Sequence, residues 1–423
     1  MSETTEQDST TGASLRRSVL SYTSAAIFCR IAAIAQNLLV IRWMEPEALG
    51  VWLGLQLITI YGTHAHFGVL AALNQQVPYH LGRKEFDRAD RIEDLARGWF
   101  LILGVGGLSA AALMAAGGLG NSDYGRGAIA LTLAATITLA VNLHLGMFRA
   151  RNRFGRAGLA NVISAVAMLA ALPLVYTMQY DGLLWRVVAV SVVTLVACLA
   201  LNRWNLRFSF DRAELWGLIR LGAPIVVVVG CAAVFAAMDR TLILWLLDER
   251  AMGQYALCFA LARVMRLFPT TVGQVFYPRM TTIYAAEGLS RNLLRRCAQA
   301  SAVSGAVVGA IAAAGLLGLP WAVHAFLPKY VDGLPAVNIA LISYVLLALD
   351  AGPTYFLIST SQKRRQLGVV LVAATVMALT AVLLAPRTIE GIAWSAVAGA
   401  AVYAVGLWGL VLVSVRRDSA ARA

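Results

Sequence analysis

The sequence predicts an all-α integral membrane protein of twelve transmembrane helices in two parallel six-helix bundles, and three observations carry that reading. Hydrophobic residues fill 59% of the 423 positions and charged residues only 13%, against about 45–50% and about 25% in soluble domains. Too few polar residues exist to coat the two or three soluble domains that this length would form. The apolar residues gather into runs of the length that crosses a bilayer as a helix, about 20 residues. An acidic turn near residue 45 is echoed near residue 248. The composition excludes a soluble enzyme, a disordered chain and a disulfide-rich secreted module.

The runs fall at residues 19–41, 47–72, 99–118, 127–148, 159–179, 184–202, 222–247, 252–278, 298–320, 334–360, 367–385 and 390–415. Some contain proline, which membrane helices tolerate where neighbours cover the freed backbone. No ten-residue segments alternate with period two, so a membrane barrel is not the reading. Basic residues set the orientation. The two tails and the even-numbered connections hold 25 Lys and Arg, while the six odd connections hold Arg42, Arg126, Arg186, Arg250, Lys329 and Arg387. That asymmetry places both termini in the cytoplasm, and it accounts for the net charge of +13 without nucleic acid. A reporter fused after Lys363 is therefore expected in the cytoplasm, and one at Asp123 or Asp332 outside it. Finding residues 123 and 363 on one side would remove the twelve-span arrangement.

Residues 1–14 are polar and partly acidic and read as a disordered cytoplasmic tail, with no cleavable leader. The bundles then occupy 15–210 and 211–415, followed by a cytoplasmic tail at 416–423. Cys29, Cys198, Cys231, Cys258 and Cys297 are scattered through or beside spans with no CxxC, and read as small packing residues.

The repeat joins span one to span two through Glu45-Pro46-Glu47-Ala48-Leu49-Gly50, and span seven to span eight through Asp248-Glu249-Arg250-Ala251-Met252-Gly253. An aromatic follows each glycine two residues on, at Trp52 and Tyr255, and the offset is 203 residues. The long connections 74–98 and 279–297 also correspond, the first reading as a charged amphipathic surface helix. Asp87, Asp90, Glu93 and Asp94 there interleave with Arg88, Arg91 and Arg97, a mixture that suits salt bridges better than a metal. Six plus six spans of equal orientation imply a parallel repeat, the architecture of V-shaped transporters that rock one half against the other around a central cavity.

Charges inside the bilayer cost at least about 2.5–3.5 kcal/mol each and mark interior cavities. Away from their edges the spans hold Arg30, Arg240, Arg263 and Arg266 against Asp239 and Asp350. Arg263 and Arg266 share a helical face. A basic surplus favours an anionic ligand, and guanidinium grips phosphate oxygens in two-pronged fashion. The alternative is that Asp239 neutralises one of these arginines as a buried pair, and both readings stand at this level. Either aspartate, or His64 or His66, could carry a coupling ion. The two histidines lie about 200° apart on a helix and do not chelate one metal together. No phosphate loop of the GxxxxGK[ST] type is present, and no metal, cofactor or catalytic constellation is read, so an enzyme is not expected.

Several motifs now add up to a resemblance. Ile41-Arg42-Trp43-Met44-Glu45-Pro46-Glu47-Ala48-Leu49-Gly50, Asp239-Arg240, Tyr277-Pro278 and Phe326-Leu327-Pro328-Lys329-Tyr330 resemble, in order and spacing, motifs of the Wzx-type polysaccharide flippases. Those belong to the multidrug/oligosaccharidyl-lipid/polysaccharide exporter superfamily. Glu45 and Leu49 depart from the usual glycine and aromatic. Phe28-Cys29-Arg30 and Arg263-Val264-Met265-Arg266-Leu267-Phe268-Pro269 are similar to segments of the lipid II flippases of that superfamily, although Gln36 stands where another arginine would, and twelve spans leave no room for that subfamily's two extra helices. The resemblance implies a bacterial inner-membrane flippase that moves an undecaprenyl-diphosphate-linked oligosaccharide to the outer leaflet by alternating access, for O-antigen, capsule or exopolysaccharide. It implies Arg30 and Arg263, with Arg266 and Arg240, at the substrate headgroup. Its partners would be the lipid-linked oligosaccharide, membrane lipids, and a polysaccharide polymerase with its chain-length regulator. The alternatives are a lipid II flippase or a multidrug or small-molecule antiporter, the latter wanting an acidic cavity. A membrane glycan polymerase or ligase would need a large extracytoplasmic loop, and every odd connection is short.

Overall fold

The computed structural model describes residues 28–202, 204, 207–360, 362–383 and 388–422, and every regular element among them is helical. The tail at 1–14 and the start of the first span lie outside the described residues. The chain divides into two compact units, Met1–Trp43 with Leu55–Val227, and Met44–Gly54 with Val228–Ala423.

The first unit contains α1 (residues 28–43), the later turns of α2 (Pro46–Gly62), and then α3 (Val69–Gly82), α4 (Phe86–Ala116) and α5 (Asp123–Ala150). After these come α6 (Phe154–Ala170), α7 (Leu172–Leu201) and the start of α8 (Arg212–Ala236). Val69, Leu73 and Val77 of α3 meet Ile92, Leu95 and Phe100 of α4 and Leu143 and Met147 of α5 in one buried cluster. Small residues let α6 approach closely, with Ala157 and Ala160 against Phe148 and Cys198.

Segment 74–98 is not a separate surface helix. Its charged half forms the first turns of the 31-residue α4, and its arginines consume its acids. Glu93 and Arg97, 5% and 9% exposed, pair at 3.2 Å. Arg97 also meets Asp94, and Arg151 holds Glu93 at 2.6 Å and reaches Asp90. Arg88 and Arg91 reach across to Glu214 of α8 at 2.9 and 3.0 Å. Salt bridging is what the interleaved sequence implied.

In the second unit, α9 (Met238–Leu246), α10 (Glu249–Gln254), α11 (Ala256–Met265) and α12 (Leu267–Glu287) follow α8. α13 (Arg291–Phe326), α14 (Leu334–Ala348), α15 (Ala351–Ser359), α16 (Lys363–Leu383) and α17 (Ile389–Arg422) complete it. Its core joins Met280 of α12, Leu293 of α13, Phe356 and Leu357 of α15, Val370 of α16 and Leu407 and Val411 of α17. Leu317 is 85% and Val405 72% exposed, the apolar outer surface that lipid covers.

Met44–Gly54 packs within this unit and gives the repeat a physical form. A Cβ on Gly50 would overlap the Glu249 carbonyl, and a Cβ on Gly253 would overlap the Pro46 carbonyl. The 203-residue offset pairs Pro46 with Glu249 and Gly50 with Gly253, so each turn gives the other the contact it receives. Such reciprocity is what a two-fold relation produces. Arg250 lies 3.6 Å from Glu47, its own equivalent, Lys329 lies 2.5 Å from Glu45, and the Tyr330 hydroxyl donates to the Met44 carbonyl at 3.1 Å.

Nine described helices, not the expected twelve, are long and apolar enough to cross a membrane, counting 249–287 and 328–359 through their internal breaks. The first expected span begins outside the described residues. The second is interrupted: α2 stops after 17 residues, and the chain turns through Phe67 (φ 50°) and Gly68 (φ 97°). Gly68 lies on the Gly222 backbone with no room for a Cβ, so glycine serves there for both conformation and clearance. The fifth also stops after 17 residues, at Ala170. The helix restarts over Pro173 and kinks at Gln179, φ 49°.

Candidate functional site

A cavity of about 320 Å³ lies inside the second unit, walled by residues of α8, α9, α11, α12, α14, α16 and α17. Asp239, Arg240, Arg263, Arg266 and Asp350 all line it. Five of the eight charged or titratable residues singled out in the sequence are thereby brought together.

Three interrupted helices converge on this cavity, and each puts charge at its interruption. Pro269 has no N–H for the Met265 carbonyl, and its ring crowds that carbonyl, so α11 ends at Met265 and α12 restarts beyond Arg266. Pro353 does the same to Leu349, separating α14 from α15 at Asp350. Between α8 and α9 there is no proline. There the Asp239 carboxylate accepts the Arg240 N–H at 2.8 Å, a side chain competing with the helix for its own backbone.

The freed backbone groups find partners, as an apolar surrounding demands. Arg266 Nη2 donates to the Ala236 carbonyl at 3.4 Å. Ser301 of α13 donates to the Leu349 carbonyl at 2.7 Å and accepts the Gly352 N–H at 3.1 Å, serving both ends of the Asp350 break. Thr354 and Tyr403 hold the Asp350 carboxylate.

The three cavity arginines differ in commitment. The Arg240 guanidinium lies 4.1 Å over the Phe259 ring, a cation–π contact. Arg266 is tied to the α8–α9 break. Arg263 is exposed to the cavity, and among the described residues no acceptor or carboxylate meets its guanidinium. Asp239 bonds the neighbouring backbone, and no ion pair joins it to Arg263.

Arg30, His64 and His66 belong to the first unit. Arg30 is exposed on α1. The histidines serve the interruption of the second span: His64 Nδ1 donates to the Ile60 carbonyl at 3.0 Å, and His66 Nδ1 accepts the Gly68 N–H at 3.2 Å. Sequence reasoning missed Phe259, Thr270, Ser343, Tyr344 and Tyr403 as cavity residues. One signal was present for the architecture: Arg266 and Asp350 each stand three residues before a proline inside an apolar run. Among the described residues no group of three metal-ligating side chains occurs.

Residues 103–317 match the family described as polysaccharide biosynthesis proteins. Among curated proteins, none matches the sequence. Several solved structures share the fold. An inward-facing multidrug-resistance MATE family transporter of the MOP superfamily superposes with a TM-score of 0.77 at 17% identity, over 96% of this chain and 99% of that one. The lipid II flippase MurJ, in an inward closed conformation, gives 0.75 at 9% identity, over 92% and 87%. A MATE protein in complex with MaL6 gives 0.63 at 16%, over 95% and 97%. The chain is thus a multi-pass helical protein with the fold of the MATE and MurJ structures.

Proposed function

The chain belongs to the polysaccharide biosynthesis protein family, and from that footing we propose that it is an alternating-access transporter carrying a lipid-linked anionic glycan intermediate across the bacterial inner membrane. One observation carries the reading: three arginines face two carboxylates in the cavity, and among the described residues Arg263 has no hydrogen-bond or ion-pair partner. A cation in that position invites an anion. The substrate we assign is a polyprenyl-diphosphate-linked oligosaccharide. Its diphosphate oxygens take the Arg263 fork, with Arg266 beside it, while the lipid tail remains in the bilayer. Arg240, stacked on Phe259, contributes charge from a fixed place. Arg30 of the first unit is similar to an arginine of the lipid II flippases, and its role in binding substrate is proposed on that resemblance alone. The chemistry is binding and movement, with no bond made or broken.

The experiment is a deletion strain complemented with the wild-type chain. Lipid-linked glycan is expected to accumulate on the cytoplasmic face without the protein and to clear when it is restored. No accumulation would overturn the reading. A second reading, a small-molecule antiporter, is supported by the MATE-like fold and by Asp239 and Asp350 in the same cavity. It predicts that expression protects cells from cationic drugs, and that Arg263→Ala, by lowering positive charge, improves that protection.

A further inference from the structure

We propose that the face of α12 running on from the cavity is a glycan-binding strip, built on Tyr277 and Tyr355, that takes the sugar attached to the diphosphate. The inference rests on the diphosphate reading above and extends it to the other half of the substrate. Arg266 and Thr270 both line the cavity. At 3.6 residues per turn, Thr270, Tyr277 and Thr281 lie within about 60° of the direction of Arg266. They form one polar and aromatic row that continues about 16 Å along the helix from Thr270 to Thr281.

α15 completes the strip. The Tyr355 hydroxyl points back to the Thr270 carbonyl at 3.5 Å, so its polar end is turned toward the cavity wall. Its ring stands 5.8 Å from that of Tyr277, at 49°. Gly273 makes this possible, because a Cβ there would overlap the Tyr355 ring. Farther along, Thr281 and Ser359 share a hydrogen bond at 3.2 Å. Tyr277 is 37% exposed, and among the described residues its hydroxyl has no partner.

A pyranose presents an apolar C–H face and a rim of hydroxyls. The matching surface is an aromatic ring held still beside hydrogen-bonding groups: the Tyr277 hydroxyl can donate and accept, and the Thr270 and Thr281 hydroxyls, which donate to the Arg266 and Tyr277 carbonyls, are left to accept. Tyrosines that only anchor a helix at the membrane interface would aim their hydroxyls at the headgroups; Tyr355 aims its own along the helix to Thr270. The strip also starts where the diphosphate would be held, and the sugar is covalently joined to that diphosphate.

The test measures binding to the purified full chain with two probes, farnesyl diphosphate and farnesyl diphosphate bearing N-acetylglucosamine. The sugar is expected to tighten binding about two- to tenfold. Tyr277→Ala should erase that gain and leave farnesyl diphosphate affinity unchanged, while Tyr277→Phe, which keeps the ring, should retain most of it. Equal affinities for the two probes in the wild type overturn the strip. So does a sugar gain that survives Tyr277→Ala, or an equal loss for both probes. Those results leave the diphosphate reading standing. Failure of both probes to bind removes that reading, and the strip with it.

Discussion

Replacing Arg263 by alanine is expected to abolish transport while leaving the protein inserted and abundant. Its guanidinium reaches the cavity without a carboxylate or acceptor among the described residues. Truncation therefore strands no opposite charge, and it relieves the cost of holding a cation away from water. What disappears is the charge-assisted contact to substrate, about 1.5–3 kcal/mol for each hydrogen bond to a charged group. Two such bonds correspond to at least a hundredfold in binding. Arg263→Lys should keep part of the activity, since an ammonium binds phosphate as a point charge without the fork. Arg266→Ala is a different case, because Arg266 also serves the Ala236 carbonyl at the α8–α9 break; its loss should lower thermal stability as well as transport. Measuring lipid-linked glycan export beside protein level separates the two. The decisive variant is Arg263→Ala with Asp239→Ala. If export returned in that double mutant, the arginine would be a partner of Asp239 and not of substrate.

The fold class was legible because membrane composition is a bulk property, and runs of apolar residues announce themselves whatever their contacts. The interruptions were less legible. Hydropathy is blind to backbone dihedrals, so 47–72 reads as one span although Phe67 and Gly68 turn left-handed inside it. Likewise 159–179 conceals the stop at Ala170. The connection at 74–98 reads as a salt-bridged surface helix; the salt bridges form, but Glu93 and Arg97 pair in burial within the first turns of α4.

The charged half of the cavity could be read from the cost of charge in lipid, which singles out Asp239, Arg240, Arg263, Arg266 and Asp350 without any structure, together with Arg30, which belongs to the first unit and does not line the cavity. Its other half could not. Tyr403 arrives from α17, some fifty residues beyond Asp350, and Ser301 reaches the Asp350 break from α13. Hydroxyls and aromatics inside an apolar run carry no signal until tertiary packing chooses their neighbours. The converse also holds for His64 and His66, whose spacing stood out in the sequence and whose bonds are to the local turn.

Gly253→Val should destabilise the second unit severely, and Gly50→Val should do so by a similar amount. At each position the Cβ itself, not a movable side-chain tip, would overlap a carbonyl of the opposite turn: Pro46 for Gly253, Glu249 for Gly50. No rotamer choice relieves that, so the two turns must part. Overpacking a well-fitted site costs about 1–3 kcal/mol, and parting the turns also strains the Lys329–Glu45 pair and the Tyr330 bond to Met44. Because the two glycines serve one contact, the double mutant should cost less than the two single losses together, the signature of coupled neighbours. Gly309 is the control. A Cβ there meets nothing within 4 Å, and in mid-helix alanine is favoured over glycine by about 1 kcal/mol, so Gly309→Ala should hold or raise the melting temperature. Thermal unfolding of the detergent-purified variants reads all four. If Gly253→Val melted with the wild type, the turns would not be in contact, and the repeat would lose its two-fold packing. If the two valine variants were destabilising but additive, each glycine would be answering to a different neighbour.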